Sequence, residues 1–75
     1  MNNLTIEDYM KIPYPMVVEE DTVEGGYTIF FPDLKGCVTC TESRDEISSM
    51  AEDAKRAWLE ASLESGFEPP LPSNN

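Results

Sequence analysis

The stretch between Ser43 and Gly66 constrains this chain more than any other. Ile47, Met50, Ala51, Ala54, Trp58 and Ala61 recur there at spacings of three and four, an apolar stripe of helical period. Ser48, Glu52, Lys55 and Arg56 lie mainly off the stripe, with Glu52 and Arg56 spaced to pair along the surface. Ser43-Arg44-Asp45-Glu46 has the form of a capping box, and Gly66 can take the left-handed conformation that ends a helix. One long amphipathic helix needs a surface to cover, and the residues before it are built as strands.

Met16-Val17-Val18 reads as a first strand. A charged surface connection, Glu19 to Glu24 with Gly25-Gly26, turns the chain back. Tyr27-Thr28-Ile29-Phe30-Phe31 is the strongest strand, with Tyr27, Ile29 and Phe31 on one face and Thr28 and Phe30 on the other. Pro32-Asp33-Leu34-Lys35-Gly36 breaks it with turn residues, and Cys37 to Thr41 supplies a third strand. The expected fold is α+β: a three-stranded antiparallel meander packed by one long amphipathic helix, with a short N-terminal helix. That first helix starts where Thr5 caps Asp8, and it ends before Pro13 and Pro15.

Residues 1–13 thus read as an N-terminal helical arm, 14–66 as a βββα core and 67–75 as a proline-rich tail, all of one domain. The tail should be extended, and by itself reads as a frayed end. Seventy-five residues form one small domain with a thin margin of stability, so any further source of cohesion matters.

Cysteine is not that source. Cys37 and Cys40, three apart on an extended segment, face opposite sides of a sheet, which opposes both a disulfide and joint ligation of one metal. With no His and no third Cys a zinc site is not expected, and the two thiols read as small apolar or buried residues. No cofactor is expected. The first residues lack a signal-like pattern and no segment is long and apolar enough to span a membrane, which makes the cytoplasm the expected compartment.

Fifteen acidic residues against five basic ones give a formal charge of -10, which repels phosphate backbones and anionic lipid. Direct nucleic-acid or membrane binding is therefore not expected. The same surplus suits either simple solubility or attraction to a basic partner. For catalysis the residues are poorly arranged: the acids are scattered, there is no His to serve as a general base, and neither a nucleophile elbow nor a phosphate-cradling glycine loop is present. The chain does not read as an enzyme.

The ordered series Gly26-Tyr27, Phe31-Pro32-Asp33-Leu34-Lys35-Gly36-Cys37-Val38-Thr39, Ala51-Glu52-Asp53-Ala54-Lys55-Arg56-Ala57-Trp58-Leu59-Glu60, Gly66 and Pro69-Pro70-Leu71-Pro72-Ser73 resembles the N-terminal domain of HicB antitoxins. The resemblance runs from about Tyr14 to Ser73. It implies a partial ribonuclease-H-like fold and a role in neutralising a small basic HicA-type toxin that cleaves RNA. Members of that family often carry a C-terminal DNA-binding domain; no such segment follows here, so the chain resembles a short form in which operator binding is not expected.

Three functions follow as alternatives. The first is an antitoxin-like module that occludes a basic toxin. The second is a self-associating regulatory or structural protein without a toxin, and the third a residual metal-dependent nuclease. Candidate partner-binding residues are Glu19, Glu20, Asp21 and Glu24 around the first connection, Phe30 on the second strand, Asp33 in the second turn and Trp58 on the helix. Asp33 could equally serve its own turn and Trp58 the core. Because a single helix covers one side of a sheet, an apolar face should remain exposed, and a dimer or higher homo-oligomer, or a protein partner, is expected to bury it.

Overall fold

A computed structural model describes residues 4–72. Its elements run α1 (Ile6–Met10), β1 (Val17–Glu20), β2 (Tyr27–Phe30), β3 (Val38–Thr41), a 3₁₀ turn (Arg44–Glu46) and α2 (Ile47–Glu64). The strands form one antiparallel sheet in the order β1-β2-β3, as the strand and turn signals require. Register follows from the two connections: Val17, Phe30 and Val38 lie in one row, and Val18, Ile29 and Thr39 in the next. The last three residues of the expected tail lie outside the described residues.

α2 lies over β2 and β3. Tyr9, Ile29, Leu34 and Leu59 are the large side chains wholly removed from solvent, and Tyr14, Phe31, Cys37 and Ala51 complete the core. β2 therefore faces the helix with Ile29 and its neighbour Phe31, as its alternation predicts. α1, the turn between β2 and β3, and the residues leading into β1 close the same core from the sides.

Several local expectations need correction. β1 runs Val17–Glu20, so Glu19 and Glu20, read as part of the first connection, belong to the strand, where both pair with β2. Ser43 makes no side-chain cap bond; the chain enters α2 through the 3₁₀ turn, and the Glu46 carboxylate accepts from the Thr41 hydroxyl at 3.3 Å. On α1 the expected capping box is formed: the Asp8 amide donates to Thr5 Oγ1 at 3.2 Å and the Thr5 amide to Asp8 Oδ2 at 3.0 Å. Those bonds hold the Asp8 carboxyl below its ordinary range. The apolar stripe is also rotated: Ala61 is exposed while Leu59, off the predicted stripe, is fully buried. Packing between α1 and the second turn draws that shoulder of the helix inward.

Arg56 pairs not with Glu52 but with Glu7 of α1 at 2.9 Å and with Glu60 at 3.3 Å. All three side chains are well exposed, so this bridge orients α1 more than it stabilises the fold. Finally, the tail is docked. Gly66, at φ +82°, closes a Schellman motif in which its amide bonds the Leu63 carbonyl and the Phe67 amide the Ser62 carbonyl. Pro69 is then buried, and the Tyr14 hydroxyl donates to the Pro70 carbonyl at 2.7 Å.

The rotated stripe gives a direct test. Leu59→Ala should lower unfolding free energy by about 2–5 kcal/mol, whereas Ala61→Ser should change it by no more than about 0.5 kcal/mol. Urea denaturation of the two variants, compared by midpoint at an unchanged slope, separates these outcomes.

Candidate functional site

Directly opposed residues of antiparallel strands share a face. Away from α2 the sheet therefore presents two rows, Val17-Phe30-Val38 and Glu19-Thr28-Cys40. Nothing among the described residues covers them. Val38 is 58% exposed, Cys40 is exposed, and Phe30 and Val17 are half-buried, none of them packed against the core. One row is apolar from edge to edge; the other carries an acid, a hydroxyl and a thiol.

The hairpin end of this face is acidic. Glu19 and Glu20 end β1, and Glu24 stands exposed on the connection. Asp21 is engaged within the loop itself, where its Oδ1 accepts from the Val23 and Glu24 amides at 3.0 and 3.1 Å, and its amide and carbonyl bond Gly26 and Gly25. This Asx-type turn sets the loop's shape while leaving a negative charge on it. The glycines are needed: Gly26 has φ +95°, and a Cβ there would stand 3.3 Å from the Thr41 carbonyl.

That contact brings in a residue that the sequence pattern alone does not single out. Because β3 ends beside the hairpin, Glu42 lies against Gly26 and joins Glu19, Glu20, Asp21 and Glu24. The available signal was topological: in a three-stranded meander the end of the third strand returns to the first turn. Several basic side chains are engaged within the molecule. Arg44 is bonded to Tyr27 and feels the charge of Glu20, Arg56 pairs with Glu7 and Glu60, and Lys55 donates to the Ile12 carbonyl at 3.3 Å while standing over the Tyr14 ring.

Asp33 and Trp58 belong to the opposite end, where the turn between β2 and β3 meets α2. Trp58 Nε1 donates to the Lys35 carbonyl at 2.9 Å, and its ring meets Phe67 edge-on at 6.5 Å. It therefore clamps the turn and the tail. Asp33 is half-buried, and its charge, after burial itself and Tyr9, helps push the Tyr14 hydroxyl's pKa up. Of the seven predicted contact residues, Phe30 and Glu19 thus lie on the open face, Asp21 and Glu24 on the connection at its end, Glu20 on the opposite face beside Tyr27 and Arg44, and Asp33 and Trp58 apart from them.

The two cysteines divide as their spacing predicts. Cys40 is exposed on the open face; Cys37 is buried, its Sγ 3.5 Å from the Ala54 carbonyl, and burial pushes its thiol up. Among the described residues no three His, Cys, Asp or Glu side chains come together to hold a metal ion, and no helix is long and apolar enough to cross a membrane.

A helix-backed sheet with one bare, apolar-and-acidic face is the architecture of a protein-binding module. Comparison with known proteins places it more closely. The model of the HicB-like antitoxins of bacterial toxin-antitoxin systems matches residues 14–74, and the chain belongs to that family. A solved structure described as a HicA3 and HicB3 toxin-antitoxin complex contains a similar chain, 35% identical, with a TM-score of 0.68, the match covering 83% of this chain and 70% of that one. No curated protein matches.

Thiol chemistry checks the two faces. Exposed Cys40 should react with a disulfide reagent in the folded chain, and buried Cys37 only on unfolding. Because the folded thiol of Cys37 ionises later than the unfolded one, its contribution to stability is complete on the acid side of the ordinary thiol range and is lost as pH rises through it. Chemical denaturation at rising alkaline pH should show a steeper loss for the parent than for Cys37→Ala.

Proposed function

We propose that this chain is an antitoxin that neutralises a small basic RNA-cleaving toxin of the HicA type by covering its active surface. The observation that carries the reading is the open sheet face, where an apolar row, Val17-Phe30-Val38, adjoins Glu19 and the acids of the hairpin end, Asp21, Glu24 and Glu42. Family membership and the resemblance to a chain from a HicA3 and HicB3 complex support it. Binding is the whole mechanism: no bond is made or broken by this protein.

Each part of the face has a physical role in that process. A basic RNA-cleaving protein carries positive charge where phosphate sits, so Glu19, Glu20, Asp21, Glu24 and Glu42 would steer its approach and compete for the same surface. Phe30, flanked by Val17 and Val38, would be the buried anchor at the centre of the contact. Asp33 and Trp58 would act at a distance, by keeping the second turn and the tail in place.

The experiment is titration of this chain into an RNA-cleavage assay with its HicA-type toxin. Cleavage should be suppressed at one equivalent of folded chain, and an unaffected toxin in the presence of excess chain overturns the reading. Variants separate the two roles. Joint reversal of Glu19 and Glu20 to Lys should slow association about tenfold or more at low salt and little at high salt, whereas Phe30→Asp should act on dissociation at any salt. Stopped-flow binding at two ionic strengths distinguishes them.

A further inference from the structure

We infer that the outer edge of β1, with the groove between β1 and α2, takes up an extended segment of another protein that sets basic side chains opposite the end of β1 and apolar ones opposite its start. This surface is separate from the open face, and the inference stands whether or not that face binds a toxin.

α2 leaves part of the sheet bare on its own side. It lies over β2 and β3, and along the row Val18-Ile29-Thr39 the middle residue is fully buried while Val18 is 39% exposed. Met16, on the same side of the chain by alternation, is 43% exposed. Neither packs against the core. Between Met16 and α2 runs a groove of about 210 Å³, lined by buried Tyr14 and Phe31 and, on the helix, by Ser48, Glu52 and Lys55. That is room for a side chain rather than for one water molecule, whose share of the liquid is about 30 Å³.

The backbone dictates the shape of the occupant. The Phe31 amide donates to the Cys37 carbonyl, so by alternation Tyr27, Ile29 and Phe31 bond toward β3, and Thr28 and Phe30 toward β1. Their partners Glu19 and Val17 are used inward, which turns the amides and carbonyls of Val18 and Glu20 outward. Among the described residues no strand pairs with that edge. An extended segment satisfies such a row by adding a strand, and antiparallel pairing is the more stable per residue. In that register the residues opposite Val18 and Met16 place their side chains on the groove side, and the residue opposite Glu20 lies beside its carboxylate.

Charge selects among extended segments. β1 carries Glu19 and Glu20 and no base, Asp21 follows, and exposed Glu52 stands across the groove. The bases at hand have partners: Arg44 is bonded to Tyr27 and feels Glu20, and Lys55 is pinned by the Ile12 carbonyl and the Tyr14 ring. A second copy of β1 would set carboxylate against carboxylate in a chain of net charge -10. Lys or Arg at that end meets attraction instead, and Val18 and Met16 supply the apolar part of the contact.

The probe is a capped peptide, Arg-Lys-Val-Thr-Leu, added to the intact isotope-labelled chain and followed by NMR. Its Val then faces Val18. Saturable shifts are expected at Met16, Val18 and Glu20, with slowed amide exchange at Val18 and Glu20 and little change at Phe30 and Val38. N-methylation of the peptide's Val, whose amide faces β1, should weaken binding about tenfold or more, and N-methylation of its Thr, whose amide faces away, far less. Glu in place of the peptide's Arg and Lys should abolish saturation, as should Val18→Lys in the chain, whereas Phe30→Asp should retain the peptide. Absence of binding at millimolar peptide, equal effects of the two N-methylations, shifts confined to the open face, or a dimer of the chain that the peptide fails to displace from this edge would each overturn the inference.

Discussion

The fold depends on one contact, that of Ile29 on the middle strand with the helix above it. A sheet of three four-residue strands has a single residue that is central both along and across it on the covered face, and Ile29 is that residue, with no solvent exposure. Leu59, Leu34 and Tyr9 surround it from the helix, the second turn and the first helix. So few large side chains are fully buried that each of these segments is held by one anchor. The polar ties, Trp58 to the Lys35 carbonyl and Lys55 to the Ile12 carbonyl, lie around that cluster and fasten the same segments.

The architecture was legible because each element is written in a short-range code. Alternation set the faces of Tyr27 to Phe31, helical spacing set α2, and Pro13, Pro15, Gly25-Gly26 and Gly66 marked the ends. What local patterns could not supply was decided by contacts distant along the chain. Arg56 ignores Glu52 because Glu7 comes within 2.9 Å, and Leu59 turns inward because α1 and the second turn complete a pocket for it. The tail fails to fray for the same reason, since its partners Tyr14 and Trp58 belong to other elements, Tyr14 far from it in sequence.

The candidate site divides along the same line. Strand alternation places Phe30 on the open face, and turn position places Asp21 and Glu24 on the connection; Glu19 and Glu20, read as part of that connection, belong to β1 and alternate to opposite faces. Glu42 could not be placed in this way, because its membership depends on where the third strand ends. Asp33 and Trp58 were candidates by residue type, and topology sends both to the far end of the sheet. The hairpin end is one dense part of a surplus that runs over the whole chain, and Arg44, Lys55 and Arg56 are engaged with carbonyls, carboxylates or rings within the molecule.

The bond from Tyr14 to the Pro70 carbonyl joins positions 56 apart, so the sheet and α2 are closed into a non-covalent ring. Tyr14 and Pro69 are both buried where the tail meets the residues before β1, so loosening either segment breaks the bond that ties it to the other. A small domain with a thin core gains from this a cooperativity usually supplied by a disulfide. It also means that a tether fixed to either terminus would load the same latch.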